Sequence, residues 1–181
     1  MHGPGSASWL LVALCAASGA YCLLRMRSRV EEQRRTAGGE ALMGFGMALM
    51  AVPAAVLAPP SGVWGAYVAV FAAAGLRAAW TARHRPHHAH HLVGAAAMVY
   101  MSAAMLLAPG AGHGAAGVPA LTGALLLYFT AHVLASGARL VPVGAAVTPE
   151  AGVVSWADRP ELALVCRLAM SMAMIAMLLT L

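Results

Sequence analysis

The sequence predicts an all-α, polytopic transmembrane helical bundle of about six spans with its N-terminus outside the cytoplasm. Three observations predict it. Hydrophobic residues make up 61% of the chain and charged residues only 9%, whereas a soluble domain carries about 25% charged residues to hydrate its surface. The apolar residues gather into segments of the length that crosses the bilayer, which takes about 20 helical residues. The basic residues fall only in alternate connections between those segments. With 181 residues the chain has room for these spans and for no separate soluble domain. Residues 1–181 therefore read as a single transmembrane domain, multi-pass in the plasma membrane.

Span 1 covers about residues 8–24. Arg25, Arg27 and Arg29 follow it instead of preceding it, the reverse of a cleavable signal peptide, so it reads as a retained helix that inserts N-terminus outward. Span 2, about 40–58, is stopped by Pro59-Pro60, and Pro53 is expected to kink it, as a membrane tolerates. Span 3, about 63–80, follows Ser61, a good N-cap. Span 4, about 87–108, opens just after Pro86 and stops before Pro109-Gly110. Span 5 covers about 118–138. Span 6, about 160–181, opens at Asp158-Arg159-Pro160-Glu161, with Asp158 as N-cap and Pro160 in the first turn. The stretch from Leu140 to Ala157 is apolar enough to lie in the interface, with Trp156 as an anchor.

All eleven basic residues are arginine. Arg25, Arg27, Arg29, Arg34 and Arg35 lie between spans 1 and 2, Arg77, Arg83 and Arg85 at the junction of spans 3 and 4, and Arg139, Arg159 and Arg167 around the junction of spans 5 and 6. The opposite connections carry none. Six spans put every arginine on the cytoplasmic side, and dropping a span would send some outside. The net charge of +5 thus serves topology and implies no nucleic-acid partner; the bilayer is the expected environment, and a homo-oligomer is left open. Cys15, Cys22 and Cys166 all fall inside apolar segments and read as buried apolar residues instead of disulfide partners.

Methionine is distributed unevenly. Span 2 carries Met43, Met47 and Met50, span 4 Met98, Met101 and Met105, and span 6 Met170, Met174 and Met177, with Met172 on its other face. Spacings of three and four put each triplet on one helix face. Spans 2, 4 and 6 run in the same direction, so the three stripes can line one path. Polar groups precede each stripe: Glu40, then His87 and His91, then Cys166 with Arg167 beside it. This suggests three hairpins, each ending in a Met-bearing helix, although no repeat is visible beyond Met-Leu-Leu at 105–107 and 177–179. Thioether, thiol and imidazole donors together suit Cu(I), a soft ion that accepts two or three neutral ligands. Methionine also fills irregular gaps between helices with no further role, and that alternative stands beside the metal reading.

His84, His87, His88, His90 and His91 form a cluster. His87 and His91 have the four-residue spacing that can chelate one metal ion, and a position near a helix N-terminus favours neutral imidazole. His88 and His90 point elsewhere on the helix. His132 sits within span 5, four residues after Tyr128; an ionisable group inside a span is a functional candidate by default. The expected metal ligands are Glu40, His87, His91, His132 and Cys166 at the cytoplasmic end, with the nine stripe methionines forming a ladder. Copper is the expected ion. A haem held by His91 and His132 as axial ligands is a second reading, and a structural or assembly subunit without chemistry is a third. There is no P-loop, dinucleotide fingerprint, H-E-x-x-H, Cys-x-x-Cys or serine-hydrolase elbow, and no nucleophile for a lipid-modifying enzyme can be named.

The segments Glu40-Ala-Leu-Met43-Gly-Phe-Gly-Met47-Ala-Leu-Met50, His87-His88-Ala-His90-His91 with Met98-Val-Tyr-Met101, and Cys166-Arg167-Leu-Ala-Met170 resemble a family of actinobacterial integral membrane proteins carrying a domain of unknown function. The Lys-free, Ala-, Gly- and Arg-rich composition fits a high-GC genome. The resemblance covers roughly residues 5–181 and implies a small multi-span membrane protein. It implies no activity.

Overall fold

The computed structural model describes residues 4–28, 31–53, 56, 59–82, 89–107, 117–138 and 159–180. Six helices account for nearly all of them, and no strand occurs among the described residues: α1 (Pro4–Arg25), α2 (Glu31–Met50), α3 (Ser61–Ala82), α4 (Ala89–Leu107), α5 (Pro119–Ala138) and α6 (Pro160–Leu179). Five of them, all but α2, are long and apolar enough to cross a membrane.

Helix α2 departs from the predicted second span at both ends. It begins at Glu31 instead of near residue 40, because Glu31, Glu32, Gln33, Arg34 and Arg35 are good helix formers and Glu31 suits the positive end of the helix dipole. It ends at Met50, so Pro53 terminates the helix instead of kinking it. A proline at 53 supplies no N–H, and its ring clashes with the carbonyl four residues back. The chain unwinds ahead of it, with the Ala51 N–H still on the Met47 carbonyl at 2.9 Å and the Val52 N–H shifted to that of Leu49 at 3.3 Å. The apolar part of α2, Ala41 to Met50, spans only about 15 Å as α-helix, half the hydrocarbon thickness of about 30 Å.

Consecutive helices pair as three antiparallel hairpins, α1 with α2, α3 with α4, and α5 with α6, and α2 adds contacts to α4 and α6. Helices α2, α4 and α6 run parallel. Mid-helix Glu40 of α2 meets His91 in the first turn of α4 and Arg167 in the first half of α6, while Met50, Met105 and Met177 meet near the ends of the three helices. Helices α3 and α5 lie outermost, with most of their surface exposed.

Small residues set how closely the helices approach, as expected where packing between helices has no hydrophobic driving force. A Cβ on Gly44 would stand 2.9 Å from both the Cα and the N of Gly19 and 3.1 Å from the Cys15 carbonyl oxygen, so α1 and α2 touch backbone to backbone there. The Phe71 ring closes directly over Gly46, and the sulfur of Met43 lies 3.0 Å from where a Cβ on Gly94 would be. Buried hydroxyls turn back onto their own helices: Ser102 donates to the Met98 carbonyl at 2.7 Å and Ser171 to that of Arg167 at 2.9 Å, which satisfies them without a partner helix.

The second and third hairpins are joined at the other end by Tyr100. Its hydroxyl accepts the Val118 N–H at 2.7 Å and lies 2.7 Å from Thr122 Oγ1, serving an amide at the start of α5 that has no helical acceptor. Tyr100→Phe is expected to lower stability by about 1 kcal/mol, the net worth of such bonds where water can partly replace them. Thermal unfolding in detergent measures it, and an unchanged midpoint would show the contact to be energetically idle.

Candidate functional site

Glu40 is the hub of one end of the bundle. Its side chain is 1% exposed, and four helices converge on it. Arg25 at the end of α1 donates from Nη1 to Oε2. Arg167 of α6 donates from Nε to Oε1 at 2.7 Å. The Cys22 thiol of α1 points at Oε2 from 3.6 Å, and His91 Nε2 of α4 lies 3.8 Å from Oε1. A carboxylate withdrawn from water persists only if paired and hydrogen-bonded, and here two guanidiniums meet one carboxylate. The Arg25 side chain is as deeply buried as Glu40, and its Nε has no partner among the described residues. Arg167 is 38% exposed and opens the cluster toward the surface. Both Glu40 oxygens are therefore engaged by arginines, a role in tying helices together that its expected place among metal ligands did not include. Composition gave Arg25 away only as a topology signal; that it folds back under the carboxylate depends on α1 and α2 closing as a hairpin.

The histidines divide between two neighbours. His87, with His84 and His88, lies outside the described residues. His91 faces Glu40, whereas His90 faces α5. The rings of His90 and His132 stack with centroids 3.9 Å apart and planes 10° from parallel. His90 Nδ1 lies 3.3 Å from the Tyr128 hydroxyl, and His132 Nε2 lies 3.5 Å from Ser136 Oγ. His132 thus stacks on His90, while the His91 ring centroid lies 6.1 Å from that of His90. Adjacent residues on a helix point about 100° apart, so neighbouring His90 and His91 necessarily serve two different helices; that was the available signal for His90. Among the described residues no three His, Cys, Asp or Glu side chains gather as a set that could hold a metal ion.

The methionine stripes of α2, α4 and α6 turn inward. Met47, Met98, Met101, Met170, Met174 and Met177 are all buried in one apolar cluster, and Met43, Met50 and Cys166 pack against it. Met172 is exposed. Helix α1 adds Cys15 and Cys22 to the same cluster, two helical turns apart on one face, so the sulfur-bearing interior has a fourth wall. At the end away from Glu40 the cluster opens into a cavity of about 290 Å³ whose lining includes Met50, Met101, Met105 and Met177, with Trp64 and Thr180 at its margin. Among the described residues the interior is therefore bridged by a buried ion network at one end, and sulfur-lined with a cavity at the other.

A model of the family described as "Domain of unknown function (DUF5134)" matches residues 32–181. The chain belongs to this family. The DUF5134 region takes in Glu40, both histidine faces, Arg167 and all three methionine stripes, while Arg25 and Cys22 come from α1, ahead of the matched residues. The buried ion network is thus completed across the edge of the DUF5134 match. No curated protein and no solved structure matches the chain.

Proposed function

We propose that this protein handles Cu(I) within the plasma membrane, taking the ion into the methionine-lined cavity and passing it along the buried sulfurs of α2, α4 and α6. The observation that carries this reading is the cavity to which all three parallel helices contribute methionine, Met50, Met101 with Met105, and Met177, continuous with the buried methionines behind it. Thioethers are neutral, soft donors, and a chain of them offers a monovalent soft ion two- or three-fold coordination without placing a bare charge in low dielectric. Hard cations demand six or more oxygen ligands, and the cavity lining offers the side-chain hydroxyls of Ser8 and Thr180 beside its four methionines. The arginine distribution supports an orientation with the Glu40 end toward the cytoplasm and the N-terminus and cavity away from it. Cu(I) is cargo in this scheme, and Glu40 braces the helices.

The test is Cu(I) titration of the purified protein in detergent, under reducing conditions, against a chromophoric Cu(I) chelator. The wild-type protein is expected to take up at least one ion per chain. Replacing Met50, Met101 and Met177 together by leucine is expected to weaken binding at least tenfold, while each volume-conserving exchange costs less than about 1.5 kcal/mol of stability. A folded triple variant that retains wild-type stoichiometry and affinity would reduce the stripes to packing and leave a structural subunit.

A further inference from the structure

Among the described residues the two ends of the bundle are built differently. At one end the cavity of about 290 Å³ reaches in among Met50, Met101 and Met177. At the other, Arg25, Glu40 and Arg167 draw α1, α2 and α6 together over Cys22, which is fully buried. At that same end the stacked His90 and His132 close α4 against α5. We infer that the Arg25–Glu40–Arg167 network is a breakable gate, and that its release admits water at the Glu40 end while the methionine cavity contracts at the other.

Three features suit the network to this role. First, it joins the first hairpin to the third. Arg25 and Glu40 are donor and acceptor within the α1–α2 hairpin, whereas Arg167 is contributed by α6, so losing the Arg167 bond frees one hairpin to tilt against the other. Second, the bond is asymmetric. Arg25 and Glu40 are sealed at 1% exposure, but Arg167 is 38% exposed and can move its guanidinium into water without dragging a charge through apolar surroundings. Third, the closed arrangement is incompletely satisfied, since Arg25 Nε is buried without a partner among the described residues. Buried ion pairs repay their desolvation poorly, and a network with an unmet donor is easier still to exchange for a hydrated one. A two-state element of this kind is what a ligand at the opposite end can bias, provided it binds the two states differently. The inference rests on the transport reading, but its signature needs no metal.

Cys22, directly beneath the carboxylate, is a native reporter. In detergent-solubilised protein with Cys15→Ala and Cys166→Ala, a charged methanethiosulfonate reagent is expected to modify Cys22 slowly, and at least tenfold faster after Arg167→Gln. Arg167→Lys, which keeps a charge on Glu40, is expected to stay slow. In a companion protein with all three native cysteines changed to alanine, Ala176→Cys reports on the cavity it lines. Its modification is expected to slow at least threefold when Arg167→Gln is added. Equal acceleration at both positions would mean general loosening, and an unchanged Cys22 rate would mean that the network is not what seals this end; either result overturns the gate. Copper uptake without reciprocal labelling would keep the transported ion and remove the gate. Reciprocal labelling without copper uptake would keep the gate and remove the ion.

Discussion

Glu40→Ala is expected to lower the stability of this protein by about 3–5 kcal/mol, the cost of leaving a buried charge unpaired. The carboxylate and the Arg25 guanidinium are each 1% exposed, so neither can recruit water once its partner is gone. Arg167 loses the same acceptor but is 38% exposed and regains hydration, so Arg25 carries most of the loss. The physical cause can be separated from a simple cavity. Replacing Arg25, Glu40 and Arg167 together by methionine removes every charge at roughly conserved volume, and apolar replacements of buried ion networks are often neutral or stabilising. The triple replacement is therefore expected to recover most of the stability that Glu40→Ala loses. Thermal or SDS-induced unfolding in detergent reads both. A Glu40→Ala midpoint equal to wild type would mean that the network is hydrated in solution, and the four-helix hub described above would not exist.

Gly44→Ala is expected to cost about 1–3 kcal/mol, although alanine is by itself the better helix former by about 1 kcal/mol. The reason is what the new methyl meets. At 2.9 Å from the Cα and N of Gly19 the obstacle is backbone, which no rotamer change can move, so α1 and α2 must separate along their length. That separation would also withdraw Cys22 and Arg25 from Glu40, which lies about one turn from Gly44 on α2. Gly39→Ala on the same helix is the matched control. Nothing lies within 4 Å of its new methyl, so the propensity gain is unopposed and the change is expected to be neutral or stabilising. Equal effects at positions 39 and 44, read by the same unfolding measurement, would place the two helices farther apart than the structure has them.

Much of the architecture was legible from residue order. Six helical segments follow from apolar length, and their starts and stops are near the prolines and charges that mark them. Helix α2 is the exception, and instructively so. Its hydropathy averages a charged first half with an apolar second half, so a window on apolarity finds only the later part and overruns into the apolar but proline-bearing residues after Met50. Helix propensity, not hydropathy, controls where such a helix begins, and the missing N–H of Pro53 controls where it ends. For the site, the three- and four-residue spacings disclosed which methionines share a face, and Met172 as the one that does not. The spacing did not disclose that Cys15 and Cys22 complete the same interior, because two cysteines in an apolar span look like any small packing residues.

By itself the sequence determined that this chain forms helices long and apolar enough to cross a membrane, which residues stripe each helix, and where the positive charge lies, because apolar length, helical period and charge placement are properties of consecutive residues. Only the tertiary structure decided that Glu40 is claimed by Arg25 and Arg167, that His132 stacks on His90, and that the methionine cavity lies at the end opposite the ion network. Those are distances between residues far apart in the chain, set by how closely glycine lets two helices approach and by the need of a buried charge for a partner, whichever helix carries it.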